Sequence, residues 1–449
     1  MQAKHLASYY IPGLYVEEAS IGVPLDWSGL RPGQEIGSGE SLRLFYRVLC
    51  APEHAHDDLP LLVYFQGGPG GESPRPLNPA SDPWIGEAVQ HFRLVLPDQR
   101  GTGRSSIVDG ASFARVGGPQ AQAAYLRHFL ADSIVRDFEH LRLTAFEGQR
   151  WVSLGQSYGG FLTLAYLSAF PEGLAACFTT GGIPHVPANA REVYKHTFPR
   201  MKAKSELFYQ RYPQDQERVA AIADYLSSHE TRLPSGDPLT PERLQTLGAD
   251  FGKKPSFERL HWLLDTAFIG GDGSVPAGGI NLSQPFLAGL EQATASMPLY
   301  WPLQEFIYAD GECGPIRWAA QQVRDQSPEF SSAARPLLFT GEAIFPWMFE
   351  QEQALRPFRD AVSLLMEEGS WPRIYDADQL ARNEVPLQAA VYYNDMYVDR
   401  DLQMDTLSRI GASHAWVTSE YEHDGLHEGG VFSKLLDMAR RRGDLAGLL

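Results

Sequence analysis

The sequence predicts an α/β fold: a mostly parallel central sheet, helices on both faces, and an inserted, mainly helical cap. Three observations predict it. Short apolar runs recur between residues 59 and 183 and again after 385, most of them ending in a loop rich in glycine or aspartate. Helix-patterned stretches separate them, and strand–loop–helix alternation of this kind builds parallel sheets. Between the two regions lies a long stretch rich in charge, aromatics and helix formers. The expected division is 1–185 for the first part of the sheet domain with an amino-terminal β-meander, 186–380 for the cap, and 381–449 for the second part of the sheet domain.

The elements follow in order. Within 10–50, Tyr10 to Glu18 alternates loosely, Gly22-Val23-Pro24 is expected to break the run, and Leu42 to Leu49 is a clear strand. Leu59 to Phe65 is continuously apolar, as for a strand buried on both faces, and ends in Gln66-Gly67-Gly68-Pro69-Gly70-Gly71. Phe92 to Pro97 repeats the pattern and leads into the loop Asp98 to Ser105. Ile134, Phe138 and Leu141 set a helical period over Ser133 to Phe146, with Asp132 or Ser133 placed to cap it. A strand at Arg150 to Leu154, Gly155-Gln156-Ser157-Tyr158-Gly159-Gly160, and an apolar helix pattern come next. Further strand signals lie at Ala175 to Gly182, Pro336 to Gly341, Pro386 to Tyr393 and Ala415 to Thr418.

Composition bounds the function. The chain has 449 residues, 43% hydrophobic and 21% charged, as in ordinary globular proteins of one large or two associated domains. No window approaches the roughly 18 unbroken apolar residues of a membrane span. Residues Met1 to Tyr10 lack an apolar core of signal-peptide length, so a cytoplasmic protein without a membrane partner is expected. A net charge of −17 argues against nucleic-acid backbones as partners. Cys50, Cys177 and Cys313 stand far apart with no metal-ligand spacing, so they are expected to be reduced and no metal is expected.

The stretch around Ser157 carries the chemistry. Glycine two residues either side of a serine, at a strand-to-helix junction, forms a sharp turn that exposes the hydroxyl above the sheet edge. The helix that follows aims its dipole at developing negative charge. A serine nucleophile needs a base, an orienting acid and oxyanion donors. In folds of this type they follow in the order serine, acid, histidine. Asp395 stands right after the strand 386–393; Asp399 is its alternative, or a cap for the next helix. His423 lies in the loop after the last strand. His427 competes with it, whereas His414 precedes that strand, at the wrong edge. Backbone N–H groups of Gly67, Gly68 and Tyr158 are the candidate oxyanion hole. The loops match neither phosphate-binding pattern, G-x-x-x-x-G-K-[ST] or G-x-G-x-x-G.

Taken together, Gln66-Gly67-Gly68-Pro69-Gly70-Gly71, Asp98-Gln99-Arg100-Gly101-Thr102-Gly103-Arg104-Ser105 and Gly155-Gln156-Ser157-Tyr158-Gly159-Gly160 resemble the proline iminopeptidase branch of the α/β-hydrolases. They match its HGGPG loop, its DQRGxGxS loop and its GxSxGG elbow. The tail from Tyr393 to Asp399 and from Tyr421 to Leu426 resembles the longer members. One departure is Gln66, where the family loop begins with histidine; backbone donors do not depend on that side chain. The resemblance implies an α/β-hydrolase fold and release of an amino-terminal proline from peptides with a free amino terminus. It implies an acyl-enzyme on Ser157, and no cofactor.

Such a substrate makes a physical demand. Its secondary amine is cationic at neutral pH, and a partly buried cation needs a carboxylate. Glu312 and Glu342, both in Gly-Glu loops, are the candidates. Phe345, Trp347 and Trp318 lie near them in sequence and are candidates for the wall around the proline ring. Two other readings stand beside this one. The first is an esterase or amidase for small acyl groups on the same scaffold. The second is a non-catalytic ligand-binding protein, against which Ser157, Asp395 and His423 all speak.

Overall fold

The computed structural model describes residues 3–449 apart from 38, 271, 272, 278 and 296. The described strands are β1 (Lys4–Ile11), β2 (Leu14–Pro24), β3 (Ser41–Cys50), β4 (Leu61–Phe65), β5 (Arg93–Pro97), β6 (Trp151–Gln156), β7 (Leu174–Thr180), β8 (Leu387–Tyr392) and β9 (Ser413–Thr418). They form one sheet in the order β1-β2-β3-β5-β4-β6-β7-β8-β9. β1, β2, β3 and β5 pair antiparallel. From β5 through β4 to β9 every pairing is parallel. The chain leaves β4 first toward β5 and later returns to β6 on the other side. That reversal makes a crevice beyond the carboxyl ends of β4 and β6, where ligands bind in open α/β sheets.

Period-2 alternation explains why β4 is apolar throughout. Leu61, Val63 and Phe65 face one core, and Leu62 and Tyr64 face the other. Phe65 stacks 5.3 Å from Phe138 of the helix Ala131–Ala145 and 5.8 Å from Tyr166 of the helix Tyr158–Ala169. On the opposite face Tyr64 stacks on Trp84 at 4.5 Å, and Phe178 meets Phe432 of the helix Val431–Arg442 edge-on at 5.6 Å. Each fully buried side chain of this size contributes about 1.5–3 kcal/mol.

The segment between β7 and β8 holds helices and loops but no strand among the described residues. It does not form a core of its own. Phe198, Phe208, Phe251, Phe339 and Phe349 belong to the same contiguous cluster as Phe65 and Phe138. The inserted segment is therefore fused to one face of the sheet.

Three local expectations need correction. Gly22-Val23-Pro24 does not break the second strand: Val23 pairs with Leu42 and Pro24 with Ser41. Pro24 is tolerated because it is the terminal residue, where proline costs the ladder least. The helix from Ala131 has Leu130 at its N-cap with no side-chain cap bond, so neither Asp132 nor Ser133 caps it. Asp132 instead sits in the first turn, where its charge suits the dipole. Pro336 to Gly341 is not a strand. Its apolar residues are buried, but side chains satisfy its backbone: Ser205 Oγ accepts from Phe339 N at 3.0 Å, Tyr209 Oη donates to Leu337 O at 2.6 Å, and Gln245 Nε2 donates to Leu338 O at 2.8 Å. A short apolar run reads alike whether its neighbour is a strand or a helix.

Cys50, Cys177 and Cys313 are all unpaired, the first two buried and the third exposed. No helix of the described residues is long and apolar enough to cross a membrane.

Candidate active site

Ser157 sits between β6 and the helix Tyr158–Ala169 with φ 55° and ψ −124°, a left-handed turn that L-residues rarely adopt. Backbone bonds hold it there, from Ser157 N to Thr180 O at 3.0 Å and from Gly160 N to Ser157 O at 2.8 Å. Such a turn needs strand and helix to meet without side chains between them. A Cβ on Gly159 would stand 1.8 Å from Phe65 O. Gly159→Ala is therefore expected to cost about 3 kcal/mol or more in stability, read as a lowered midpoint in denaturant unfolding.

Gly67 follows β4 and also comes close, though less so. A Cβ there would lie 3.2 Å from Ser157 Cβ and 2.9 Å from Gln156 O. The loop backbone thus lies against the serine. Tyr158 opens the helix, so its N–H has no partner within it. The Asp98–Ser105 loop braces this arrangement. Gln99 Nε2 donates to Gln66 O at 2.8 Å, and the Asp98 carboxylate accepts from Ser73 N at 3.1 Å, from the Arg75 guanidinium at 2.7 Å and from Arg104 N at 2.8 Å. Arg100 is wholly buried and pairs with Asp137 through Nε at 2.7 Å and Nη2 at 2.5 Å. Its remaining donors reach the carbonyls of Pro24, Leu25 and His128.

Asp395 leaves the end of β8, fully buried, and its Oδ1 accepts from Tyr397 N at 2.8 Å and Val398 N at 3.1 Å. Its Oδ2 lies 2.7 Å from His423 Nδ1. His423 follows β9, and its own N donates to Gly252 O at 2.8 Å. The Tyr397 ring meets the imidazole edge-on at 4.7 Å. Burial pulls the His423 imidazolium down, but the Asp395 charge and hydrogen bond, with Glu342 adding, carry it above its ordinary value.

Ser157 and His423 line one cavity of about 240 Å³, with Gly67, Gly68 and Glu342 on the same wall system. Asp399, the alternative acid, caps the helix Arg400–Leu407 through Asp401 N at 2.9 Å and Leu402 N at 3.1 Å and pairs with Arg200. His427 pairs with Asp82 at 3.0 Å, away from this cavity.

Glu342 borders the cavity, accepts a hydrogen bond from Tyr300 Oη, and is enclosed enough that burial pushes its carboxyl up to about 7. Asp395 adds to that rise, while His423 and Lys253 oppose it.

A family model for the alpha/beta hydrolase fold matches residues 60–245. A curated proline iminopeptidase from Aeromonas sobria is 41% identical over 437 residues, covering 96% of this chain and 98% of the relative. The chain belongs to the proline iminopeptidase family. A second proline iminopeptidase, from Aspergillus aculeatus, is 34% identical and covers 86% of each chain. The solved proline iminopeptidase from Mycobacterium smegmatis overlaps 98% of this chain and 99% of its own at 13% identity, with a TM-score of 0.39.

Within this family member, two sequence expectations fail. Glu312 is exposed, accepts from Ser370 Oγ at 2.7 Å and does not border the cavity. Its loop is tied to residues 371–372 instead, by Trp371 N to Gly311 O at 2.9 Å and Gly311 N to Pro372 O at 3.2 Å. Phe345, Trp347 and Trp318 also miss the cavity. Trp347 stacks with Phe345 at 6.3 Å, and Trp318 packs against Phe349 at 5.5 Å. The apolar wall comes instead from Met297, Tyr300, Trp301, Met348 and Tyr397. Only Tyr397 carried a signal in the sequence, two residues beyond Asp395. Glu352 also reaches the cavity, unsignalled by any motif.

Proposed function

We propose that this chain is a serine exopeptidase that releases an amino-terminal proline, or a similar small residue, from peptides. The observation that carries the reading is the shared cavity: a serine on a strained turn, a histidine–aspartate pair and a half-buried carboxylate border one small space. Ser157 attacks the carbonyl of the first residue. His423 takes the hydroxyl proton and returns it to the departing amine, while Asp395 holds the imidazole in the required tautomer. N–H groups of Gly67 or Gly68 and of Tyr158 receive the oxyanion. Water then releases the acyl group from Ser157.

Glu342 supplies the countercharge for the substrate amine. A cation brought beside a buried carboxylate favours its ionised form, so binding draws Glu342 down from about 7. The inserted segment acts as a cap that closes over the amine and limits the site to chain ends. A cytoplasmic location belongs to the same reading, supported by three unpaired cysteines, and cell fractionation tests it.

Proline p-nitroanilide should be hydrolysed and its amino-blocked form should not. Equal turnover of both would favour an esterase or amidase instead. Glu342→Gln is expected to lower kcat/KM for the free-amine substrate about 100-fold, chiefly through KM, with the fold retained. The pH profile carries a sign. His423 must be neutral and Glu342 ionised in the free enzyme, so kcat/KM rises with pH as both lose protons, the first above its ordinary value and the second near about 7. The acid limb of the wild type should therefore be steeper than that of Glu342→Gln; identical limbs would remove Glu342 from this role.

A further inference from the structure

We propose that Lys253 reads a carboxylate on the departing peptide, so that this protein favours short peptides ending there or peptides acidic just after the first residue. The proposal rests on the exopeptidase reading and adds the chemistry of the leaving side.

Lys253 is the only lysine or arginine bordering the catalytic cavity among the described residues. It is held there by the backbone of its neighbours. Gly252 O accepts from His423 N at 2.8 Å, Gly252 N donates to Tyr397 Oη at 3.2 Å, and Lys254 N donates to Asp424 Oδ1 at 3.2 Å. The segment carrying Lys253 is thus bonded directly to the histidine loop. Lys253 also acts on the charges of both Glu342 and His423, which places its ammonium within electrostatic reach of the reacting groups.

The two ends of the cavity differ. Glu342 is half-buried and its carboxyl is raised by burial, whereas Lys253 is exposed, its side chain 46% accessible, at the mouth. With the amine held inside, the rest of the peptide must leave through that mouth. Lys253 Nζ pairs with Asp250 Oδ1 at 2.9 Å, and an exposed pair of this kind is weak. An incoming carboxylate can therefore displace or share it at small cost.

Beyond the mouth the surface continues in a groove of about 260 Å³ that Lys253 also borders. Its charged lining is Lys204, Arg211, Lys253 and Lys254 against Glu258 and Glu422. Lys204 is paired with Glu422 and Arg211 with Glu258. Lys253 and Lys254 have exposed carboxylate partners only, Asp250 for the first and Glu428 at 3.7 Å for the second. An ammonium held only by an exposed carboxylate can turn to an anionic leaving group that emerges beside it.

The test compares kcat/KM for Pro-Gly, Pro-Gly-NH2 and Pro-Glu-NH2 in wild type and variants. All three carry the same free amine, so ratios between them cancel the Glu342 contribution. In Lys253→Met the ratio of Pro-Gly to Pro-Gly-NH2 is expected to fall about tenfold, and Lys253→Arg is expected to hold it. Asp250→Asn frees the ammonium and should raise the ratio; it decides the matter if Lys253→Met does not fold. A response in Pro-Glu-NH2 over Pro-Gly-NH2 instead would place the carboxylate on a side chain. The proposal is overturned if both ratios stay within about twofold of wild type in Lys253→Met and Asp250→Asn, as they would for a merely structural lysine. Failure of the wild type to cleave proline p-nitroanilide would instead sink the exopeptidase reading itself.

Discussion

Ser157→Ala is expected to lower kcat/KM on proline p-nitroanilide by about 10⁶-fold, to the background of binding and oxyanion stabilisation alone. The change removes one oxygen from a turn that backbone bonds to Thr180 and Gly160 already hold, so folding should survive it. The strained φ of 55° is as costly for alanine as for serine. Ser157→Gly, which adopts that conformation freely, should be equally inactive yet more stable by about 1 kcal/mol. A serine-directed phosphonate should label the wild type once, at Ser157, and neither variant. Labelling of another serine with full loss of activity would move the nucleophile elsewhere and take the mechanism with it.

Asp395→Asn is expected to cost about 10⁴-fold in kcat with little change in KM. The reason lies in which atoms the carboxylate engages. Oδ1 accepts from two backbone N–H groups, so an asparagine there keeps its carbonyl oxygen on that side. Its NH2 then faces His423 Nδ1, which must become the acceptor, and the ring proton moves to Nε2. In that tautomer the imidazole cannot take the serine proton. Asparagine also removes the charge that raises the His423 imidazolium, so the remaining activity should begin to rise at lower pH. An acid limb unmoved in Asp395→Asn, with kcat near wild type, would show that another carboxylate orients the base. Asp399 is committed to its helix cap and to Arg200, and offers no substitute.

The glycines of the two catalytic loops were informative because their reason is local. Each stands where a strand ends and a backbone must pass within van der Waals contact of another, and such positions leave a mark in sequence. The strand pattern was informative for the same cause: burial on both faces makes β4 read as an unbroken apolar run and β5 to β8 as mostly apolar ones. Reasoning failed where an apolar run was satisfied by neighbours remote in the chain. Residues 336–341 look like a strand and are instead lined by Ser205, Tyr209 and Gln245, whose positions no local pattern announces. Glu312 and Glu342 shared one sequence context, a glycine followed by glutamate, and only one of them borders the cavity.

From the chain alone come the sheet architecture, the serine turn, the order of acid and base, and the family likeness, since all depend on contacts between near neighbours or on strand ends. The substrate-facing wall does not come that way. Tyr300, Trp301, Lys253 and Met348 reach the cavity from loops and short helices of the inserted segment, whose packing is set by contacts across long stretches of chain. Burial converts one of two similar glutamates into a carboxyl poised near neutrality, and burial is a property of the folded whole.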